Sequence, residues 1–254
     1  KCQNFINYIC CVKIFYLQLI ATVLLFQSTS WAQTNTQTGW FAGFNTIRLS
    51  AKTSLHAELQ FRGTDDLQAM QTVLPRVGIN YQTGKRTILT GGYAYILNRN
   101  VVSGESKLLA EHRLWQQFVI NQPVANKTLQ HRFRLEERWV PRGANTNGEV
   151  VVAERLFSMR LRYFARMILP LQKSAGFSNG IFIALQEEVF ANVVNNNNVN
   201  GKFFDQNRAY VAFGYRLSKK ADIEIGYLNQ FTSTRAGSPN VMNHVFQIAT
   251  YTRL

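Results

Sequence analysis

The chain has 254 residues, a formal charge of +14, 46% hydrophobic residues and 13% aromatics, a composition that excludes wholesale disorder. All three cysteines (Cys2, Cys10 and Cys11) fall within the first 32 residues, which read as a targeting segment. The remaining 222 residues, with a charge of +12, therefore offer no cysteine nucleophile, disulfide or thiolate-bound zinc.

Lys1 and Lys13 precede an apolar run, Ile14 to Phe26, broken only by Gln18, and Ser30-Trp31-Ala32 supplies the small residues a signal peptidase reads. About 13 apolar residues fall short of the ~20 that a spanning helix needs, so the pattern predicts a secretory signal peptide over 1–32 rather than an anchor. No cysteine follows the run at a lipoprotein cleavage position, which argues against a lipid anchor. A single β-barrel domain is expected over 33–254.

From Trp40 to Leu254 no helical periodicity of any length appears; about eleven segments of alternating character recur roughly every 20 residues between turn-rich stretches. In Leu55–Arg62, Leu55, Ala57, Leu59 and Phe61 share one face and His56, Glu58, Gln60 and Arg62 the other. In Thr128–Trp139, Leu129, Phe133, Leu135 and Trp139 oppose Gln130, Arg132, Arg134, Glu136 and Arg138. In Arg155–Leu169, the face of Phe157, Leu161 and Tyr163 opposes that of Ser158, Arg160, Arg162 and Arg166. Period two sends such sets to opposite sides of a pleated strand.

Short connections are predicted at Ser50–Lys52, Gln82–Lys85, Gln122–Asn126, Pro170–Ala175 and Ser218–Ala221. Longer ones are predicted at Asn98–Lys107, Pro141–Ala153, Asn192–Lys202 and Thr232–Asn240, with a medium one near Gly63–Ala69. Alternating short and long turns predict an all-β, antiparallel up-and-down outer-membrane β-barrel. Pro75 removes a ladder donor from Thr72–Tyr81 and predicts a bulge or pairing seam there. Eleven segments conflict with the even number usual in single-chain bacterial barrels, so either Gln33–Gly39 contributes a further strand or a climb through the lumen, or one hairpin is wrongly divided. About twelve strands are expected, with ten as the alternative.

Alternation alone does not separate a membrane barrel from a soluble sandwich. Segments of 11 to 15 residues exceed the ~5–6 usual in soluble strands and suffice to cross a bilayer. Aromatics near segment ends (Trp40, Tyr93, Tyr95, Trp115, Trp139, Tyr163, Tyr215, Tyr227 and Tyr251) are read as an interfacial girdle. The inward face then carries Arg62, Arg76, Arg113, Arg132, Arg134, Arg138, Arg160, Arg162, Arg166, Arg208 and Arg216 against Glu58, Glu111, Glu136 and Glu188. Arg132, Arg134, Glu136 and Arg138 are expected to face Glu111 and Arg113 on the preceding strand. One reading is an ion-pair lattice that fills and stiffens a narrow barrel; the other is a cationic lumen attracting anionic solutes or lipopolysaccharide phosphates. The lattice is favoured, though it does not account for the excess of positive charge.

Several strings go further as a set: Trp40-Phe41-Ala42-Gly43-Phe44-Asn45, Ser54-Leu55-His56-Ala57-Glu58, Gly91-Gly92-Tyr93-Ala94-Tyr95, Glu111-His112-Arg113-Leu114-Trp115-Gln116-Gln117 and His131-Arg132-Phe133-Arg134-Leu135-Glu136-Glu137-Arg138-Trp139. With Asp205-Gln206-Asn207-Arg208 and Gly226-Tyr227-Leu228-Asn229-Gln230, their order and spacing resemble the bacterial family filed as domain of unknown function 2490, over nearly all of residues 40–254. The resemblance implies an exported outer-membrane barrel-like protein with no established activity and no catalytic residues to carry over.

Candidate chemistry is sparse. His56, His112, His131 and His244 have no metal-ligand spacing, and no nucleophile elbow, Walker or dinucleotide glycine pattern is present, so no metal and no cofactor are expected. Glu187 and Glu188 are adjacent on a strand and point to opposite faces. His131 with Ser158 or Ser178 is the one pairing that a lipid-modifying enzyme of the barrel rim would use. Arginines that alternate along strands, in an exported chain, do not suit a nucleic-acid partner. The expected function is a non-enzymatic outer-membrane barrel, structural or a narrow anion-preferring pore, with outer-membrane lipid and anionic solute or lipopolysaccharide phosphate as partners. The alternatives are a lipid-modifying barrel enzyme and a soluble periplasmic β-protein.

Overall fold

Period-two alternation continues along eleven strands: β1 (Gln33–Arg48), β2 (Thr53–Gly63), β3 (Met70–Gln82), β4 (Thr87–Val102), β5 (Glu105–Val124), β6 (Lys127–Thr146), β7 (Glu149–Pro170), β8 (Gly180–Val194), β9 (Phe204–Ser218), β10 (Ala221–Thr232) and β11 (Asn240–Arg253). The computed structural model describes residues 33–124, 127–172 and 177–254. The expected signal segment 1–32 and parts of the turns at Gln122–Asn126 and Pro170–Ala175 lie outside the described residues.

Each strand pairs antiparallel with the next, and β1 and β11 close the ring. The expected twelve strands, or ten, are eleven among the described residues, because Gln33–Gly39 prolongs β1 instead of forming a strand of its own. An odd count makes the closing pair parallel. Leu254 N–H donates to the Thr46 carbonyl at 2.8 Å, and Arg48 N–H donates to the Leu254 carbonyl at 2.7 Å. Higher up, Thr252 Oγ1 donates to Asn45 Oδ1 and Thr36 Oγ1 to Asn243 Oδ1, the two pairs sharing a sequence separation of 207 as a parallel register requires. Following the registers once around gives a shear of about 14 residues, hence a strand tilt of roughly 45° and a radius of roughly 11 Å.

Two expected long connections are not loops. Asn98–Lys107 and Pro141–Ala153 are the ends of long strands joined at Ser103-Gly104 and Asn147-Gly148. Both turn pairs have positive φ at each position (53° and 85°, 52° and 84°), the twist of a type I′ hairpin. Turn-rich composition there marks hairpin tips rather than loop length. Pro75 lies away from the closing seam, where the β3–β4 ladder skips from Val73 to Arg76, so its missing donor falls in a local break.

The apolar faces point outward and the charged faces inward. Phe41, Leu59, Val77, Tyr93, Leu114, Phe133, Leu161, Leu185, Phe213, Ile225 and Phe246, one from each strand, are all exposed on the outer wall. Such a continuous apolar belt far exceeds the few hundred Å² that a water-facing surface usually tolerates. Inside, one apolar cluster joins Trp40, Phe182, Ala184, Tyr210, Ala212, Leu228 and Val245, and a second joins Leu74, Ala94, Ile96 and Trp115. Trp115 lies in a slot of bare backbone: a Cβ on Gly78 or Gly92 would fall 2.7 Å or 2.6 Å from its ring.

Candidate functional site

The strand registers stack the predicted polar residues on one inner surface. All twelve of the principal set face the interior, and all but Glu136 line a single cavity of about 1060 Å³. Glu136 sits behind it, fully buried, as the hub of the lattice. Its Oε1 accepts from Arg162 Nη1 at 2.6 Å and lies 3.6 Å from Arg76 Nη2. Its Oε2 accepts from Arg160 Nη2 at 2.7 Å and from Arg113 Nη1 at 3.4 Å.

Each of these arginines also has a second carboxylate. Arg76 Nη1 grips both Glu58 oxygens at 2.7 and 2.8 Å, and Arg113 donates to Glu111 through Nε at 2.6 Å and Nη2 at 3.0 Å. Arg160 Nη1 donates to Asp205 Oδ2 at 2.7 Å, and Arg162 Nη2 donates to Glu188 Oε1 at 2.7 Å. Arg138 Nε joins Glu111 at 2.7 Å, and Arg132 Nη2 joins Glu188 at 2.7 Å. Guanidinium forks and carboxylates thus alternate across β2–β9, the arrangement that planar Arg geometry suits.

The expected meeting of Arg132, Arg134, Glu136 and Arg138 with Glu111 and Arg113 holds for Glu136 and Arg138 only. Arg132 faces away to Glu188, and Arg134 donates through Nε and Nη2 to Gln117 Oε1 at 3.0 and 2.7 Å. The register is the reason: it sets Arg138 opposite Arg113, but Arg134 opposite Gln117 and Arg132 opposite Val119, four and six positions along β5 from Arg113. Arg62 and Arg208 likewise have amide rather than carboxylate acceptors, Gln60 at 2.6 Å and Gln206 at 3.4 Å.

Three aromatics read as girdle residues are interior. Trp40 is 6% and Trp115 1% exposed, and Tyr251 lines the cavity. The indoles carry cations: Arg62 and Arg208 lie 4.0 and 5.1 Å from the Trp40 ring, and Arg134 and Arg76 lie 4.8 and 5.8 Å from Trp115. Phe190 serves Arg162, Arg160 and Arg208 in the same way, at 4.5 to 5.0 Å. Period two held this signal, since Trp115 and Gln117 share a face with Glu111 and Arg113. A second, smaller network at the short-turn end, Arg216–Asp222–Arg253 and Arg166–Glu224, was legible only in its arginines 166 and 216.

The His131–Ser158 pairing considered for lipid chemistry does not assemble. His131 faces outward, with Nδ1 2.8 Å from the Tyr163 hydroxyl and Nε2 3.0 Å from Gln122 Oε1, whereas Ser158 is buried on the inner side and its Oγ donates to the Val194 carbonyl at 3.2 Å. His112 and His244 are also outward, each with Nδ1 against a tyrosine hydroxyl, Tyr93 at 2.5 Å and Tyr227 at 2.6 Å. Pairing with a phenol satisfies an imidazole on an apolar wall without a charge. Glu187 shares that outer wall, apart from Glu188, and accepts from Asn207.

These features define a closed barrel of inverted polarity, apolar outside and ion-paired within. The chain belongs to the family described as Protein of unknown function (DUF2490), whose model matches residues 37–242. It is similar to an uncharacterized protein of Methylorubrum extorquens, 24% identical over 200 residues that cover 78% of this chain and 79% of that one. No solved structure matches it.

Proposed function

We propose that the protein is an exported outer-membrane barrel that passes small anions through an arginine-rich lumen. The observation that carries this reading is the interior cavity, whose lining includes twelve arginines and two lysines against four carboxylates, Glu58, Glu111, Glu188 and Asp222. Counting the carboxylates behind that lining (Glu136, Asp205 and Glu224) still leaves cations in excess, and a low-dielectric wall focuses their potential on the cavity. A cavity of about 1060 Å³ has room for small inorganic anions with part of their hydration. The short-turn end, where the lining lysines Lys127 and Lys219 sit, adds Arg48, Lys52, Lys85, Arg86 and Lys220, with no carboxylate in the described turns there, a charge that draws anions toward the mouth. The outward belt supports a bilayer as the surrounding solvent, with lipopolysaccharide phosphates as partners of the cations at the opposite rim, Arg99, Lys107, Arg142 and Arg155.

Purified protein in planar bilayers tests this. Under a potassium chloride gradient the reversal potential is expected to report chloride preference at small unitary conductance; cation preference refutes it. Folded protein without conductance favours the second reading, a structural barrel, which the fully buried Glu136 hub independently supports.

A further inference from the structure

Nine of the twelve cavity-lining arginines meet a carboxylate within 4.0 Å; among the described residues Arg62, Arg134 and Arg208 do not. Arg134 is held by two bonds to one amide oxygen. Arg62 and Arg208 differ, because they share a platform. Their guanidinium carbons lie 4.0 and 5.1 Å from the Trp40 ring centroid, which puts them no more than about 9 Å apart. Arg208 is 8% exposed, its Nε is buried without a hydrogen-bond partner, and its one protein acceptor is Gln206 at 3.4 Å. Two like charges so placed repel each other, and the indole and the neutral amides offset only part of that.

We infer that Arg62 and Arg208, converging over Trp40, form a binding site for a free tetrahedral oxyanion of the phosphate or sulfate type. A guanidinium that grips such an ion with two parallel N–H···O bonds holds its central carbon about 4 Å from the central atom, so two forks flanking one ion stand about 8 Å apart. The two distances to the Trp40 ring allow such a spacing, since they hold the guanidinium carbons within about 9 Å of each other. A halide has no oxygen edges for the forks and gains only the point charge. The site opens onto the cavity, on the inner side of a closed wall, so a free ion reaches it and a lipid headgroup outside does not. The inference deepens the anion reading of the interior and does not depend on conduction.

Isothermal titration of the folded protein in detergent with sodium phosphate tests it, with sodium chloride at equal ionic strength as the reference. Folding of each variant is checked by heat-modifiable migration. Saturable binding of phosphate with submillimolar Kd is expected, weakened at least tenfold by Arg62→Gln and by Arg208→Gln and unchanged by Arg142→Gln on the protruding hairpin. Each of the first two variants is also expected to raise the urea midpoint in phosphate-free buffer, since it removes one of two repelling charges, whereas phosphate raises the midpoint of the wild type only. Absence of saturable binding, or Arg208→Gln binding like the wild type, overturns the site. Reconstitution in phosphatidylcholine or phosphatidylglycerol vesicles separates the two sources of phosphate: equal affinity for free phosphate in both supports a solute site, and its loss in phosphatidylglycerol overturns one in favour of a headgroup. Binding without conductance would leave this site standing and remove the pore; chloride conductance without phosphate binding would do the reverse.

Discussion

Replacing Glu136 with Gln keeps the shape of the lattice hub and removes its charge. Four arginines lie within 3.6 Å of that carboxylate, and it is fully buried, so solvent replaces little of what is lost. Breaking a buried ion pair from one side typically costs about 3–5 kcal/mol. Each of the four guanidiniums keeps a second acid, Glu58, Glu111, Asp205 or Glu188, which places the expected loss near the lower end, about 3 kcal/mol. Glu154→Gln is the internal reference: its pair with Arg142 is about half exposed, and such pairs contribute about 0–1 kcal/mol. Urea unfolding of protein reconstituted in vesicles, followed by the fluorescence of the interior indoles Trp40 and Trp115, measures both variants on one scale. If Glu136→Gln unfolds within about 0.5 kcal/mol of the wild type, like the reference, the lattice does not hold the barrel together and the reasoning fails.

Other consequences follow from packing and from the outer wall. Gly92→Ala, whose Cβ would meet the Val77 carbonyl at 2.2 Å and the Trp115 ring at 2.6 Å, is expected to destabilise by about 1–3 kcal/mol, while the adjacent Gly91→Ala, with open space outside, changes stability little by the same urea assay. Gly148→Ala forces a side chain into the φ of +84° at a hairpin tip; a cost of about 1–2 kcal/mol should appear as faster amide exchange in the ends of β6 and β7 with the unfolding midpoint of the barrel unchanged. Glu187 points outward between Leu185 and Val189, opposite Ala165 and Ala209, so the joint change Glu187→Leu and Asn207→Ala should stabilise vesicle-embedded protein by about 1–2 kcal/mol; destabilisation would mean that this wall does not face lipid.

Most of the architecture was legible because period two is a local property. The alternation in Leu55–Arg62 and Arg155–Leu169 assigns both faces of β2 and β7 without reference to anything distant, and all twelve principal polar residues fall on the interior side. What was not legible depends on closure. The parallel meeting of β1 with β11 joins residues 207 positions apart, and no local pattern announces it, so the parity rule for bacterial barrels pointed to twelve strands. Loop length failed for a related reason: Asn147-Gly148 looks the same in composition whether it ends a hairpin at the rim or well beyond it. The girdle reading misjudged Trp40, Trp115 and Tyr251 because aromatics were assigned by distance from segment ends; parity along the strand already set Trp115 with Arg113 and Tyr251 with Arg253, whereas only the β1–β2 register sets Trp40 beside Arg62.

The interior charge divides by partner, and the division bears on what the barrel can do. Three carboxylates of the upper lattice are shared, Glu111 between Arg113 and Arg138, Glu188 between Arg132 and Arg162, and Glu136 among four guanidiniums, while Glu58 and Asp205 each meet one. A shared acid satisfies hydrogen bonds for several arginines while neutralising only one charge. Because the hub arginines are shared in turn, six guanidiniums against five acids leave the lattice rigid with a single positive charge in excess, and most of the cavity's excess lies outside it. Arg62, Arg134 and Arg208, with no carboxylate within 4.0 Å, rest instead on indole faces and amide oxygens, partners that satisfy N–H groups without neutralising the charge. A wall selected only for stiffness would gain by exchanging such arginines for apolar or amide residues, since buried unpaired cations are costly. Their presence on aromatic platforms along one cavity is the point at which packing alone stops explaining the sequence.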